Sequence, residues 1–138
     1  MGRKRHILVD SLGLLLKVVI SEASLGDRDA GSWLLKSARP SLPRLQHVWA
    51  DAGYRGPAFA ELLHTRFGLR LDIIARPPAA LGFHIQPRRW VVERTFGWLN
   101  HARRLSKDYE LYFKSSASML YVAMIRILTR RLAALSPP

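Results

Sequence analysis

Two acids in this 138-residue chain stand where a carboxylate can do chemistry. The first is Asp51, in "WADAGYRG" (49–56), directly behind the apolar run "HVWA" and before Gly53, Tyr54 and Arg55. A carboxylate there is a turn residue or helix cap, or a metal ligand held at the carboxyl end of a buried strand. The second is Glu93, in "RRWVVERTFGWLNHARRL" (88–105). Stepping by three or four from Arg89 gives a polar or small face: Arg89, Glu93, Gly97, Asn100, Arg104. Val92, Phe96 and Leu99 form an apolar flank, so the helix is amphipathic. On a surface helix, Arg89 and Glu93 make a pair worth about 0.2–0.5 kcal/mol. In the competing reading, Glu93 binds a metal and the cations beside it hold phosphate. Gly97 favours that reading. A glycine inside a helix costs about 1 kcal/mol relative to alanine, and smallness helps if a bulky nucleic-acid backbone approaches.

Other elements must position these acids. "RHILVD" (5–10) and "LLLKVVIS" (14–21) flank "DSLG" and read as an antiparallel hairpin. Their near-continuous apolar character implies that both faces are partly covered. Asp10 heads the turn, where an aspartate commonly accepts local hydrogen bonds. The rival reading makes it a first catalytic acid. "GDRDAGSWLLKSAR" (26–39) predicts a helix with Asp27 accepting from first-turn amides and Asp29 favoured by the dipole; Pro40 and Pro43 end it. "QHVWAD" (46–51) predicts a strand. "GPAFAELLHTRF" (56–67) predicts a helix opened by Pro57 and closed by Gly68. "LRLDIIAR" (69–76) is a further strand and "PPAALGFHIQP" (77–87) a loop. Helices follow at about 88–104 and 115–134. The order β-β-α-β-α-β-α-α is that of an α/β domain with a partly parallel sheet. The length suits one domain.

Apolar residues make up 49% of the chain, enough for a core. Lys and Arg number 22 against 10 Asp and Glu, a formal charge of +12. That excess, with an isoelectric point near 11.2, points to a polyanion, most simply nucleic acid. A ribosome-type role or an anionic membrane surface are the bland alternatives. Arg88, Arg89, Arg94, Arg103, Arg104 and Lys107 gather on and after the Glu93 helix, and Arg126, Arg130 and Arg131 on the last one. Arg3, Lys4 and Arg5 add a basic start, and Arg55 a cation beside Asp51. Together they would line a phosphate-tracking groove. Trp90, Trp98, Tyr109, Tyr112 and Tyr121 interleave with them. Such aromatics are usually core, although one or two can stack on an unpaired base. The absence of cysteine excludes disulfides and thiolate metal sites, and fits a reducing compartment. No apolar run approaches the roughly 20 residues a membrane-spanning helix needs.

The segments "GRKRHILVDSLGLLLKVVISEAS", "DRDAG", "VWADAGYRG", "RRWVVERTFGWL", "RRLSKDYE" and "MLYVAMIRILTRRLA" cover nearly the whole chain. In that order they resemble the DDE transposases of bacterial insertion sequences, in particular the insertion-sequence-five type. The resemblance implies a ribonuclease H-like catalytic domain and two divalent metals, Mg²⁺ or Mn²⁺, held by two aspartates and a glutamate. It implies hydrolysis and strand transfer at insertion-sequence ends, DNA ends and target as partners, and a place in the bacterial cytoplasm at the nucleoid. Asp51 falls on the second aspartate, in its D-x-G-Y/F context. Glu93 and Arg89 fall on the R-x-x-x-E signature.

The chain departs from that pattern in three places. The basic residue seven positions after the glutamate falls at Asn100, with Arg103 and Arg104 one turn further on as substitutes. The aromatic three residues before the arginine falls at Gln86. The first catalytic aspartate of such proteins lies upstream of "GRKRHILVD", on a central strand. Residues 1–138 are therefore expected to form a single, amino-terminally truncated catalytic domain without that strand, inactive alone. A second copy of the chain or a separately encoded amino-terminal part is the expected partner besides DNA. The alternative is a non-catalytic basic DNA-binding or regulatory fragment in which Asp51 and Glu93 are structural.

Overall fold

The computed structural model describes residues 2–74 and 87–135. The expected hairpin is present. Strand β1 (Arg3–Val9) runs antiparallel to β2 (Leu15–Glu22), with Arg3 opposite Glu22 and a register shift at Leu8/Val9. The "DSLG" turn explains the pairing. The Asp10 carboxylate accepts from the amides of Leu12 (2.9 Å) and Leu14 (2.8 Å), and Gly13 donates to the Asp10 carbonyl. Asp10 is thus engaged as a turn residue. Gly13 takes the left-handed φ of 82° that favours glycine.

Helix α1 (Asp27–Ala38) buries Ala30, Gly31, Leu34, Leu35 and Ala38 along one face. Its cap differs from expectation. Gly26 occupies the cap position without a side-chain bond, and Asp27 lies inside the first turn. The Asp27 carboxylate instead takes the Lys4 ammonium at 3.0 Å, because β1 passes alongside. The chain then runs through a 3-10 turn at Arg39–Ser41 that contains Pro40. Strand β3 (His47–Ala50), helix α2 (Pro57–Phe67) and strand β4 (Arg70–Ile73) follow as expected, each slightly shorter. Gly68 closes α2 in the left-handed region at φ 64°. β3 and β4 pair in parallel, His47 beside Arg70 and Ala50 beside Ile73. Residues 75 and 76 of the expected strand, and the expected loop through Gln86, lie outside the described residues.

Helix α3 (Pro87–Asn100) is shorter than the 88–104 expected. The backbone leaves the helix at Ala102, whose φ and ψ are −79° and 113°, and re-forms a 3-10 turn at Arg103–Leu105. Leu105 is the reason: it is 4% exposed and packs into the core beneath β2. Arg104 therefore leaves the Glu93 face. Helix α4 (Phe113–Leu135) buries Ser116, Leu120, Ala123 and Met124, at helical spacing.

The architecture is mixed α/β, and the described residues form two two-stranded sheets that share no strand. One core joins Val18 and Ile20 of β2 to Leu99, Leu105, Leu120 and Met124. The other joins Leu35, Val48, Phe59, Leu63 and Leu69, with Leu8 of β1 packed against it. The outer edge of β2 is covered where the Val18 amide donates to the Tyr121 hydroxyl at 3.0 Å. The hairpin turn is fastened to α3: the buried Thr95 hydroxyl lies 2.7 Å from the Gly13 carbonyl, and Arg94 donates to Leu12 at 2.9 Å. Among the described residues, no helix is long and apolar enough to cross a membrane.

Replacing Thr95 with valine leaves the Gly13 carbonyl without its buried donor. We expect a loss of about 1–3 kcal/mol in urea unfolding, with Thr95→Ser close to wild type.

Candidate active site

Asp51 lies just past β3, at the start of a 3-10 turn, Ala52–Tyr54. Its Oδ1 accepts from the Gly53 amide at 2.9 Å, so the turn reading of the sequence holds geometrically. Gly53 is not in a left-handed conformation. Its smallness serves proximity instead. A Cβ there would stand 2.8 Å from Asp27 Oδ2 and 3.1 Å from Asp51 Oδ1. Glycine thus lets two carboxylates close on one point.

Tyr54 anchors the turn through a relay that sequence reasoning missed. Its hydroxyl is 2.8 Å from His6 Nδ1, and His6 Nε2 is 3.0 Å from Ser21 Oγ. Ser21 donates onward to the Glu22 carbonyl. With that proton committed, His6 Nε2–H donates to Ser21 and Nδ1 accepts from Tyr54. The assignment requires a neutral imidazole and a protonated phenol. Both are favoured. Burial lowers the His6 pKa below its ordinary 6.5. Burial first, and then the charges of Asp51 and Asp27, push Tyr54 up to about 12. The signal in the sequence was a lone histidine in an otherwise β-rich run. Gly31 completes the seat, since a Cβ there would meet the Tyr54 ring at 2.8 Å.

Glu93 projects from α3, and its Oε1 accepts from Arg89 Nε at 2.9 Å. Both side chains are about half exposed, so the pair itself adds little stability. Its importance is location. Asp51, Glu93, Arg88 and Arg89 line one cavity of about 260 Å³, together with Arg5 and His6. The Arg88 guanidinium sits 3.7 Å from the centre of the Trp49 ring, which holds it at the cavity wall. The two acids singled out in the sequence thus come from different elements to one space. Among the described residues, no group of three or more His, Cys, Asp or Glu is placed to hold a metal.

The other cations divide into two groups. Arg3 donates to Asp108 and to the carbonyls of Glu110 and Leu111, Lys4 to Leu25 and Asp27, and Arg5 to Leu105. Arg104 pairs with Glu110 at 3.0 Å. Arg55, Arg103 and Lys107 are exposed, and no described residue pairs with their side chains.

Residues 1–128 match the family described as transposase DDE domain. The chain belongs to this family. A putative transposase for insertion sequence element IS402, from Burkholderia cepacia, is 33% identical over 116 residues, covering 79% of this chain. The transposase chain spans 54% of that relative, about half its length. No solved structure matches the chain. In this DDE transposase chain, "DAGYR" and "RRWVVE" furnish separate walls of the shared cavity.

The relay has a pH signature. The folded-state pKa of His6 lies below the unfolded value, so its contribution to stability is complete above about 6.5. It is lost as pH falls from there toward the depressed folded value. Urea midpoints measured between pH 8 and 5 should drop across that window. His6→Gln should be less stable at pH 8 and show a flatter profile.

Proposed function

We propose that this chain forms part of a ribonuclease H-like transposase catalytic domain that cuts and joins phosphodiesters at insertion-sequence ends. In this reading Asp51 and Glu93 are two of three carboxylates that hold divalent metal, and the third comes from outside residues 1–138. One observation carries the reading: the two acids and the Arg88–Arg89 pair line a single cavity.

The donors suit Mg²⁺ or Mn²⁺, which prefer hard oxygen ligands. Gly53 engages Asp51 Oδ1 and Arg89 engages Glu93 Oε1, so Asp51 Oδ2 and Glu93 Oε2 remain without a partner among the described residues. Such ions, when bound, activate the attacking water or 3′-hydroxyl and stabilise the leaving oxygen. The chain's own groups position the reactants. The Gly53 amide fixes Asp51, and Arg89 orients Glu93. Arg88, braced on Trp49, offers a planar guanidinium to a phosphate. Arg55, Arg103 and Lys107 extend the path for the DNA backbone. Arg3, Lys4, Arg5 and Arg104 are tied within the chain, and contribute to the positive field rather than to direct contacts. With Arg104 held by Glu110, Arg103 is the better candidate for the basic role that Asn100 does not fill.

A non-catalytic DNA-binding role is the second reading. It is favoured by the structural partners that both acids already have. Titration calorimetry with Mn²⁺ separates the two. The catalytic reading expects a weak site that disappears in Glu93→Gln and in Asp51→Asn. Unchanged binding in both variants would favour the DNA-binding role. Nicking of end-containing DNA by residues 1–138 with Mg²⁺ should be at or near background, and robust nicking lost in Asp51→Ala would contradict the need for a third acid.

Gly97 gives an independent test of where DNA approaches. A Cβ there meets nothing within 4 Å. Gly97→Ala should raise stability by up to about 1 kcal/mol while weakening DNA binding severalfold in a gel-shift assay. Equal or tighter binding would place the DNA on another face.

A further inference from the structure

We propose that residues 106–113, between the turn after α3 and the start of α4, form a binding site for an unpaired DNA strand. Lys107 meets the strand's backbone, and the Tyr109 and Tyr112 rings stack on its bases. The site lies outside the cavity of Asp51 and Glu93. It rests on the proposed reading only in taking DNA as the ligand, and it needs neither acid and no metal.

The aromatics interleaved with the basic residues of the last two helices divide into covered and open ones. Arg94 lies over the rings of both Trp90 and Trp98, 4.6 and 4.7 Å from their centres, and Arg131 lies over Trp98 at 4.2 Å. The Tyr121 hydroxyl accepts from the Val18 amide, and its ring packs against the core beneath β2. Tyr109 and Tyr112 are different. They are 62% and 68% exposed, and among the described residues no ring or guanidinium stacks on either. Leu111, between them, is 76% exposed.

These side chains stand on a fixed backbone. Arg3 reaches across from β1 and donates to Asp108 at 3.2 Å and to the carbonyls of Glu110 and Leu111 at 2.6 and 2.8 Å. Its guanidinium lies over the Phe113 ring, 4.9 Å from the centre. Asp108 also accepts from the Glu110 amide and the Ser116 hydroxyl, and the Ser116 amide donates to the Tyr112 carbonyl. Arg104 pairs with Glu110 at 3.0 Å. A loop braced in this way presents its rings without the ordering cost that a flexible loop meets on binding.

Charge around the rings selects the ligand. Both nearby acids are already matched, Asp108 by Arg3 and Glu110 by Arg104, and their side chains are only 19% and 18% exposed. Arg103, Lys107 and Lys114 are exposed, and no described residue pairs with their side chains. Lysine is depleted in the cores of protein–protein interfaces. Cations interleaved with open rings instead suit a single strand, whose phosphates take the cations and whose base faces take the rings. A duplex keeps its base faces in its own stack and must unstack to use such rings.

A polar cleft of about 560 Å³ lies beside the loop, with Arg3, Arg5, Ser106, Lys107, Asp108 and Glu110 in its lining. Lys107 is the cation there whose side chain has no partner among the described residues. Arg5 also lines the cavity that holds Asp51 and Glu93. A strand that leaves that cavity past Arg5 enters the cleft, where Lys107 meets a phosphate beside the two tyrosines.

Fluorescence anisotropy tests the site with the full chain at one fixed salt concentration. The probes are an oligothymidine of about twelve nucleotides and a fully paired duplex of the same length. Tyr109→Ala and Tyr112→Ala should each weaken oligothymidine binding at least about fivefold and leave duplex binding within twofold, about the scatter of such assays. The phenylalanine variants should bind the oligothymidine as wild type does, because the ring is kept. Both tyrosines are exposed, so urea midpoints of the alanine variants should match wild type. Lys107→Ala should weaken both probes. Alanine variants that bind the oligothymidine as wild type does would overturn the proposal. So would an equal loss on the duplex, or a wild-type chain that binds no oligothymidine. Tyrosine-dependent attachment to phosphatidylglycerol vesicles, with oligothymidine affinity unchanged in the variants, would assign the rings to a membrane surface and overturn it as well. The catalytic reading fails separately. A chain without a Mn²⁺ site that still holds oligothymidine through its tyrosines keeps this site and removes the metal one.

Discussion

The spacing between β1 and β3 governs the rest of this structure. Each strand satisfies one edge, β1 against β2 and β3 against β4, and among the described residues no ladder crosses between the two sheets. Buried strand edges normally find partners, because an unpaired peptide group out of water is costly. What holds the halves in place is indirect. Helix α1 packs on β1, β2 and the Asp51 turn, the His6–Tyr54 bond bridges β1 to that turn, and Thr95 and Arg94 fasten the hairpin to α3. The cavity that joins Asp51 to Glu93 is the space this scaffolding leaves.

Charge and geometry act together at that space. Asp51 is fixed by a backbone amide and Glu93 by an arginine one helical turn away, so both carboxylates arrive oriented. Burial favours the neutral form of His6, which keeps a titrating cation out of the neighbourhood at neutral pH. The net charge of +12 supplies long-range attraction for a polyanion. Only some of the cations remain available for contact. Arg3, for instance, clamps the segment at Asp108–Leu111 and stacks on Phe113.

Elements with strong local punctuation were legible in the sequence. The hairpin declared itself through Asp10 and Gly13, α2 through Pro57 and Gly68, and β3 through a short apolar run before Asp51. The two candidate acids were legible because each ended or interrupted an apolar pattern. What escaped was set by tertiary contact. Helix α3 stops at Asn100 because Leu105 is drawn into a core that the local pattern does not reveal. Asp27 was read as a cap because its pairing with Lys4 depends on β1 lying beside α1. The His6–Tyr54 relay joins residues far apart in the chain, and neither is distinctive where it stands.

The proposed function requires that Asp51 and Glu93 serve one divalent metal. Anomalous diffraction at the manganese edge, from crystals of the chain grown with Mn²⁺, tests it most directly. The expected result is a manganese peak in the shared cavity with an oxygen from each carboxylate in its coordination sphere. A peak held by other residues alone, or a cavity that stays without manganese at millimolar concentration, would contradict it.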